Sequence, residues 1–487
     1  MRAPTVQAAR WLPAILVLSA VLNLANLDFP FTFHGDESRK VQFIQQSIQN
    51  FNHPILMLQL VRTLKLGLGM TRDGDIALLG RALMALCATA TVLLAYVLAR
   101  RTFSAAGALA VAAATAVSPT LVIHAHYLKE DTILTTCLMA SILLFLRFAA
   151  RLDFSSAALL GIGTGLAFSS HYKSILLVPL YLIAPLLGLR ASASRFYAML
   201  LVAGAVATAV FVSINWPLLF DLQLFYSGVL FEMEHATLGH DVPIDWNDYW
   251  LGFHLIHSLV PGIGALATIL AIAGLAMAIA RWSTTPFRDR WLLAYVLVFY
   301  LVPEVSPLKP WPDFLRYMVP LVPPLLYFAW QAVERGANLW QTRGPRTLLL
   351  ATGVVALIVV PMYMSTRLVI GLANDTRVRA SIWIQQNPGT AILDDYSGET
   401  PANTTVGLLD PDSIRAQGID YLVANSFMYE RFAAGARLKN QEPRTYQADA
   451  GYQALFALPY VEFAPDYRSF AFSNPVIRII DLRQPRP

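Results

Sequence analysis

The sequence predicts an α-helical polytopic membrane protein that ends in a small external α/β domain. Three observations carry that prediction. Hydrophobic residues make up 56% of the 487 and charged residues only 14%, where a soluble globular chain carries roughly 25% charge. Mean hydropathy is +0.52. The apolar residues also come in long runs, of the roughly 20 residues that cross a bilayer. A formal charge of +5 is then no nucleic-acid footprint. Lys and Arg anchoring one set of loops account for it.

About eleven spans are expected, at 11–27, 76–99, 103–123, 131–150, 156–171, 174–189, 197–215, 256–280, 291–303, 317–334 and 347–366. The fifth, sixth and ninth are short and are expected to tilt or pack inside the bundle. No small-x-small cleavage site follows the first, so it is not read as a cleaved signal peptide. Arg10, Arg100, Arg101, Arg147, Arg151, Arg190, Arg195, Arg281, Arg288, Arg290, Arg335, Arg343 and Arg346 fall on one set of loops. The opposite set includes 216–255, which has no Lys or Arg but holds Asp221, Glu232, Glu234, Asp241, Asp245 and Asp248. The positive-inside rule puts the Arg set and the N-terminus in the cytoplasm and the acidic loops and C-terminal tail outside. Cys87 and Cys137 fall in spans and imply neither a disulfide framework nor a metal site.

Residues 1–366 are therefore read as a membrane bundle with long external loops at 28–75 and 216–255, and 367–487 as an external domain. In the first loop, Val41, Ile44, Ile48 and Phe51 recur at helical spacing and predict a helix lying in the membrane interface. In the external domain a helix is expected over 375–386, capped by Asp375 or Thr376 and stopped by Pro388-Gly389. Strands are expected at 391–393, 421–424 and 476–480.

Charged and polar groups gather at the outer edge of the bundle. They are Asp36 and Glu37, His53, Lys129 with Glu130 and Asp131, His171 with Lys173, Glu234 with His235 and His240, and Lys309 with Arg316. Ionisable groups near hydrocarbon are costly and are usually functional. The set contains both parts that a transfer from a lipid phosphate requires. A carboxylate can take the acceptor proton, and Lys and Arg can hold the departing phosphate. Each group has a plainer reading. Asp36 or Ser38 would cap the helix beginning near Arg39. Glu130 and Asp131 would suit the N-terminus of the fourth span. Lys173 would snorkel to the interface. Glu234, His235 and His240 would be solvated, or would offer a weak metal-ligand pattern. Lys309 and Arg316 sit among Pro303, Pro307, Pro310 and Pro312, a rigid turn that presents cations beside a span.

In order, the segments His34-Gly35-Asp36-Glu37, Asn52-His53-Pro54-Ile55-Leu56, Lys129-Glu130-Asp131-Thr132, Gly161 to Ala167 followed by Tyr172-Lys173, Leu238-Gly239-His240, and Lys309 with Arg316-Tyr317-Met318-Val319-Pro320-Leu321-Val322-Pro323 resemble those of the GT-C glycosyltransferases, of the protein O-mannosyltransferase and aminoarabinose transferase type. Asp375-Thr376-Arg377 through Trp383-Ile384 resembles the start of the external domain in bacterial members. Ile55 stands where the family's second proline usually does, and nothing resembles the Trp-Trp-Asp-Tyr-Gly signature of oligosaccharyltransferases.

The resemblance implies a GT-C fold and inverting transfer of a single sugar from a polyprenyl-phosphate donor to a lipid, glycan or protein acceptor. The setting it implies is the outer side of a bacterial inner membrane. It makes Asp36 the general base and Glu37 its support, has Glu130 or Asp131 orient the acceptor or a metal, and gives Lys173, Lys309 and Arg316 the donor phosphate. His53, Glu234 and His240 stand as substrate or metal candidates. A divalent metal is an option that the residues do not require. The rival class is a transporter or lipid-linked sugar flippase, which would place its site near the midplane, often on repeats.

Overall fold

The structure is a computed structural model that describes residues 10–239, 242–309, 315–398, 409–439, 441–471 and 473–483. Helices dominate up to Gln386. Among the described residues four are long and apolar enough to cross a membrane: Asp73–Ala99, Glu130–Arg151, Ala193–Ile214 and Arg343–Gln386, the last interrupted near Asn374. Two bent pairs raise this to six if each is one span. Ala105–Ala116 and Pro119–Ala125 meet at 52°, and Leu255–Ile263 and Ala265–Ala280 meet at 110°. Shorter apolar helices run over Leu12–Leu24, Phe154–Ser170 and Tyr172–Leu182.

Each of the eleven expected segments thus falls on helix, but not every one is a straight span. The stretch expected to cross at 256–280 turns back on itself at Gly264, whose φ of 93° suits a residue without a side chain. The segment expected to end at 366 runs on as helix to Ala373. Close backbone approach seats the bundle: Phe154–Ser170 lies against Ala193–Ile214, and a Cβ on Gly161 would stand 2.5 Å from Ala203 O.

The loops at 28–75 and 216–255 are more ordered than the sequence suggests. The first begins with the helix Gly35–Gln45, which stops at Gln46. Ser47 at φ 56° turns the chain, so Ile48 and Phe51 lie past its end rather than on its face. A second helix follows at Leu56–Leu68. The acidic loop at 216–255 contains the helix Leu222–Leu238, capped by Asp221.

After the helix Thr376–Gln386, capped by Asp375, four strands form one sheet: β1 (Ala391–Leu393), β2 (Tyr421–Asn425), β3 (Tyr460–Phe463) and β4 (Ile477–Asp481), in the order β1-β2-β4-β3. β1 and β2 are parallel, and β4 runs antiparallel to β2 and β3. β2, buried at every residue, is the centre of this unit. β3, with the helices Ser426–Gly435 and Pro443–Phe456, went unpredicted. The polar and apolar residues of β3 give no clear alternation, and its first three residues are exposed.

Candidate active site

A charged cavity of about 700 Å³ opens where the loop at 28–75 meets the segments beginning at Lys129, Tyr172 and Arg316. Asp36 reaches it from the first turn of Gly35–Gln45. The cap of that helix is His34, whose Nδ1 accepts the Asp36 amide at 3.3 Å. Neither Asp36 nor Ser38 serves as the cap, so the Asp36 carboxylate is available to the cavity. Burial lowers the His34 pKa well below its usual value, which keeps Nδ1 an acceptor.

Asp36 Oδ2 accepts from Lys129 Nζ at 2.5 Å and lies 3.5 Å from Arg316 Nη1. Its side chain is 42% exposed, toward the cavity. Burial alone would raise its pKa, but Lys129, with His34 and Arg316 behind it, holds the carboxyl well below the usual range. Lys173 also lines the cavity, its Nζ 3.6 Å above the Tyr317 ring. Five basic side chains, Arg39, Lys40, Lys129, Lys173 and Arg316, therefore line the same space as two carboxylates, Asp36 and Glu232.

Glu37, one residue on, points the other way. It is fully buried and grips Arg81 with both oxygens, at 2.9 and 2.7 Å, while Oε1 also accepts from the Leu128 amide at 2.7 Å. Arg81 donates in turn to Leu27 O and Phe29 O and lies over the Phe29 ring. This network ties the start of the first loop to Asp73–Ala99 and to the turn before Glu130. Glu130 is buried in an ion pair with Lys40. Asp131, also buried, stands in the first turn of the same helix, and its charge acts on His124 and Arg316.

His53 lines the cavity, its ring 4.6 Å from that of His171 and its Nδ1 3.9 Å from Glu232. Burial keeps His53 well below its usual pKa. Lys309 lies outside the cavity lining. It is buried and donates to Ile244 O at 2.9 Å, and burial lowers it to about 8. Glu234 is exposed and also outside the lining. His240 falls outside the described residues.

Some lining residues escaped the sequence reading. Glu232, on the helix missed at Leu222–Leu238, faces the cavity in place of Glu234, and burial raises its pKa. Lys40, Tyr317 and Tyr396 also line it. A signal existed for Arg81, a lone charge inside an apolar span. None existed for Tyr396, which reaches the cavity from beyond β1. Among the described residues no three His, Cys, Asp or Glu side chains gather as a metal site would need.

Known proteins share the fold. The family model described as dolichyl-phosphate-mannose-protein mannosyltransferase matches residues 61–216. No curated protein matches the chain by sequence. The structure of ArnT from Cupriavidus metallidurans bound to undecaprenyl phosphate is similar at a TM-score of 0.56 and 15% identity, over 98% of both chains. The apo oligosaccharyltransferase of Archaeoglobus fulgidus is similar at 0.57 and 12%, over 88% of this chain and 71% of that one. The oligosaccharyltransferase AglB from Archaeoglobus fulgidus, in complex with an inhibitory peptide and a dolichol-phosphate, is similar at 0.56 and 12%, over 93% and 73%.

Proposed function

We propose, from the premise that this chain is a multi-pass membrane protein of the GT-C fold, that it is an inverting glycosyltransferase. It moves one sugar from a polyprenyl-phosphate donor to an acceptor. The observation that carries this reading is the Asp36 carboxylate, 2.5 Å from Lys129 and 3.5 Å from Arg316, in a cavity that Lys173 also lines. The ArnT structure, bound to undecaprenyl phosphate and similar over 98% of both chains, supports a polyprenyl-phosphate donor.

Inverting transfer needs few groups. The acceptor hydroxyl oxygen attacks the anomeric carbon from the face opposite the phosphate. The carbon–oxygen bond to phosphate breaks and its electron pair leaves on the phosphate. The hydroxyl proton passes to Asp36. Lys173 and Arg316 bind the phosphate and offset the charge that grows on it. Before the donor binds, Asp36 is a weak base because Lys129 and Arg316 surround it. A phosphate drawing on those cations raises the carboxylate's proton affinity, so the base strengthens when the donor is in place. Glu37, Glu130 and Asp131 act on this centre through Arg81, Lys40 and Arg316, as positioning groups. His53 and Glu232 line the remaining wall and meet substrate. Lys309 holds the segment at Ile244.

The positive-inside pattern supports a site on the outer face of a bacterial inner membrane, with residues 1–366 as the transferase body and 367–487 as an external unit. Membranes containing the chain should transfer label from a polyprenyl-phosphate sugar. Asp36→Asn should lower kcat by about 10²–10⁴-fold, the usual contribution of a general base. Full activity in Asp36→Asn would remove Asp36 from that role. Vesicle flipping of the lipid without glycosyl product would favour a flippase.

A further inference from the structure

We infer that Tyr396 forms the aromatic platform of a subsite for a saccharide ring beside Asp36, in a cavity that Gln42, Asn50 and Asn52 also line. The inference rests on the transferase reading and names what one wall of that cavity binds. Tyr396 is the residue that the C-terminal unit contributes to it, among those described.

The backbone at Tyr396 is the first sign. Its φ of 68° is a left-handed conformation, which strains a tyrosine but not a glycine. Such strain persists where the surroundings over-determine it, and it collects at functional sites. The surroundings here are specific. The Asp394 amide and Ser397 Oγ both donate to Val423 O on β2, at 2.9 and 3.2 Å. Asn425 Nδ2 donates to Ser397 Oγ at 2.8 Å. Arg377, itself buried, donates through one nitrogen to Phe33 O at 2.8 Å and Tyr396 O at 3.4 Å. The turn is thereby tied both to the sheet and to the loop leading to Asp36. The Tyr396 ring stands 3.3 Å from where a Cβ on Gly35 would be, so the ring comes close against the residue that precedes the base.

Chemistry selects the ligand class. The C–H face of a sugar ring is apolar and packs on an aromatic face. Its hydroxyls want partners that both donate and accept, as carboxamides do. The Tyr396 ring, uncharged and close against Gly35, offers a stacking face for a polyhydroxyl ring next to the cations that would hold a phosphate. That ring is either the sugar carried by the donor or a sugar of the acceptor.

Undecaprenyl phosphate without a sugar reads the cations and not the subsite. The purified full-length protein and its Tyr396→Gly and Tyr396→Phe forms should bind that probe equally. Glycine relaxes the strained backbone, and phenylalanine keeps the ring face. With a labelled polyprenyl-phosphate sugar and a membrane extract as acceptor, Tyr396→Gly should raise one KM at least about tenfold and Tyr396→Phe should restore it. A rise in the donor KM assigns the subsite to the transferred sugar. A rise in the acceptor KM assigns it to the acceptor's. Both KM values unchanged, or no restoration by phenylalanine, would overturn the subsite. Loss of probe binding in Tyr396→Gly would show a purely structural role and overturn it as well. No probe binding by the parent protein would overturn the transferase reading, and the subsite with it.

Discussion

Asp36 and Glu37 are chemically alike and adjacent, yet the structure gives them opposite surroundings. Glu37 is fully buried against Arg81. Removing one partner of such a pair leaves an uncompensated charge, so Glu37→Leu should cost about 3–5 kcal/mol of stability, measured by denaturant or thermal unfolding. Asp36 faces a cavity, and Asp36→Asn should cost activity first. Its depressed pKa also sets a pH dependence. A carboxyl held low stays ionised at every pH above its own value, so the acid limb of kcat/KM due to Asp36 should fall below about pH 4. Lys129→Ala removes its principal partner and should move that limb upward, as a pH profile would show. The motif and its acidic character were legible in the sequence. Which acid turns inward was not, because that depends on Arg81, 44 positions from Glu37.

At the scale of elements, close packing carries the fold. Phe154–Ser170 and Ala193–Ile214 approach through Gly161 and Gly165, where a Cβ would stand 2.5 Å from Ala203 O and 2.8 Å from Ala207 O. Small residues spaced this way let membrane helices touch. Gly161→Leu should therefore lower stability by about 1–3 kcal/mol, and Gly204→Leu, where a Cβ meets nothing within 4 Å, should be near neutral. Melting of the detergent-purified proteins would compare the two. Gly228 plays a similar part nearer the site: its missing Cβ lets Leu222–Leu238 rest on the Phe51 backbone and so carries Glu232 to the cavity. The glycine-rich span was legible as a motif. Its partner helix was not, since spacing along one segment does not say what lies across from it. The acidic loop hid a helix for a related reason: its apolar residues are spread around Leu222–Leu238 instead of forming one stripe.

For the whole molecule, the C-terminal sheet and its helices are tied into the site. Arg377 bridges Phe33 and Tyr396, and Asp375 holds Arg377 with both oxygens. Beneath that turn, Asp394 is buried against Tyr452, and burial raises its pKa to about 7. A carboxyl raised above its unfolded value of about 4 binds a proton in the folded state that the unfolded state has already lost. Stability from this group is therefore complete below about pH 4 and is lost as pH rises toward 7. Asp394→Asn should flatten that slope, seen by melting the full chain across this pH range. Composition alone determined the helical membrane character and where the long apolar segments fall, because hydrophobic burial acts residue by residue along the chain. Only the tertiary structure decided that Lys309 and Glu234 stand outside the cavity while Glu232 and Tyr396 line it. Those outcomes depend on contacts between segments up to hundreds of residues apart, which no local pattern encodes.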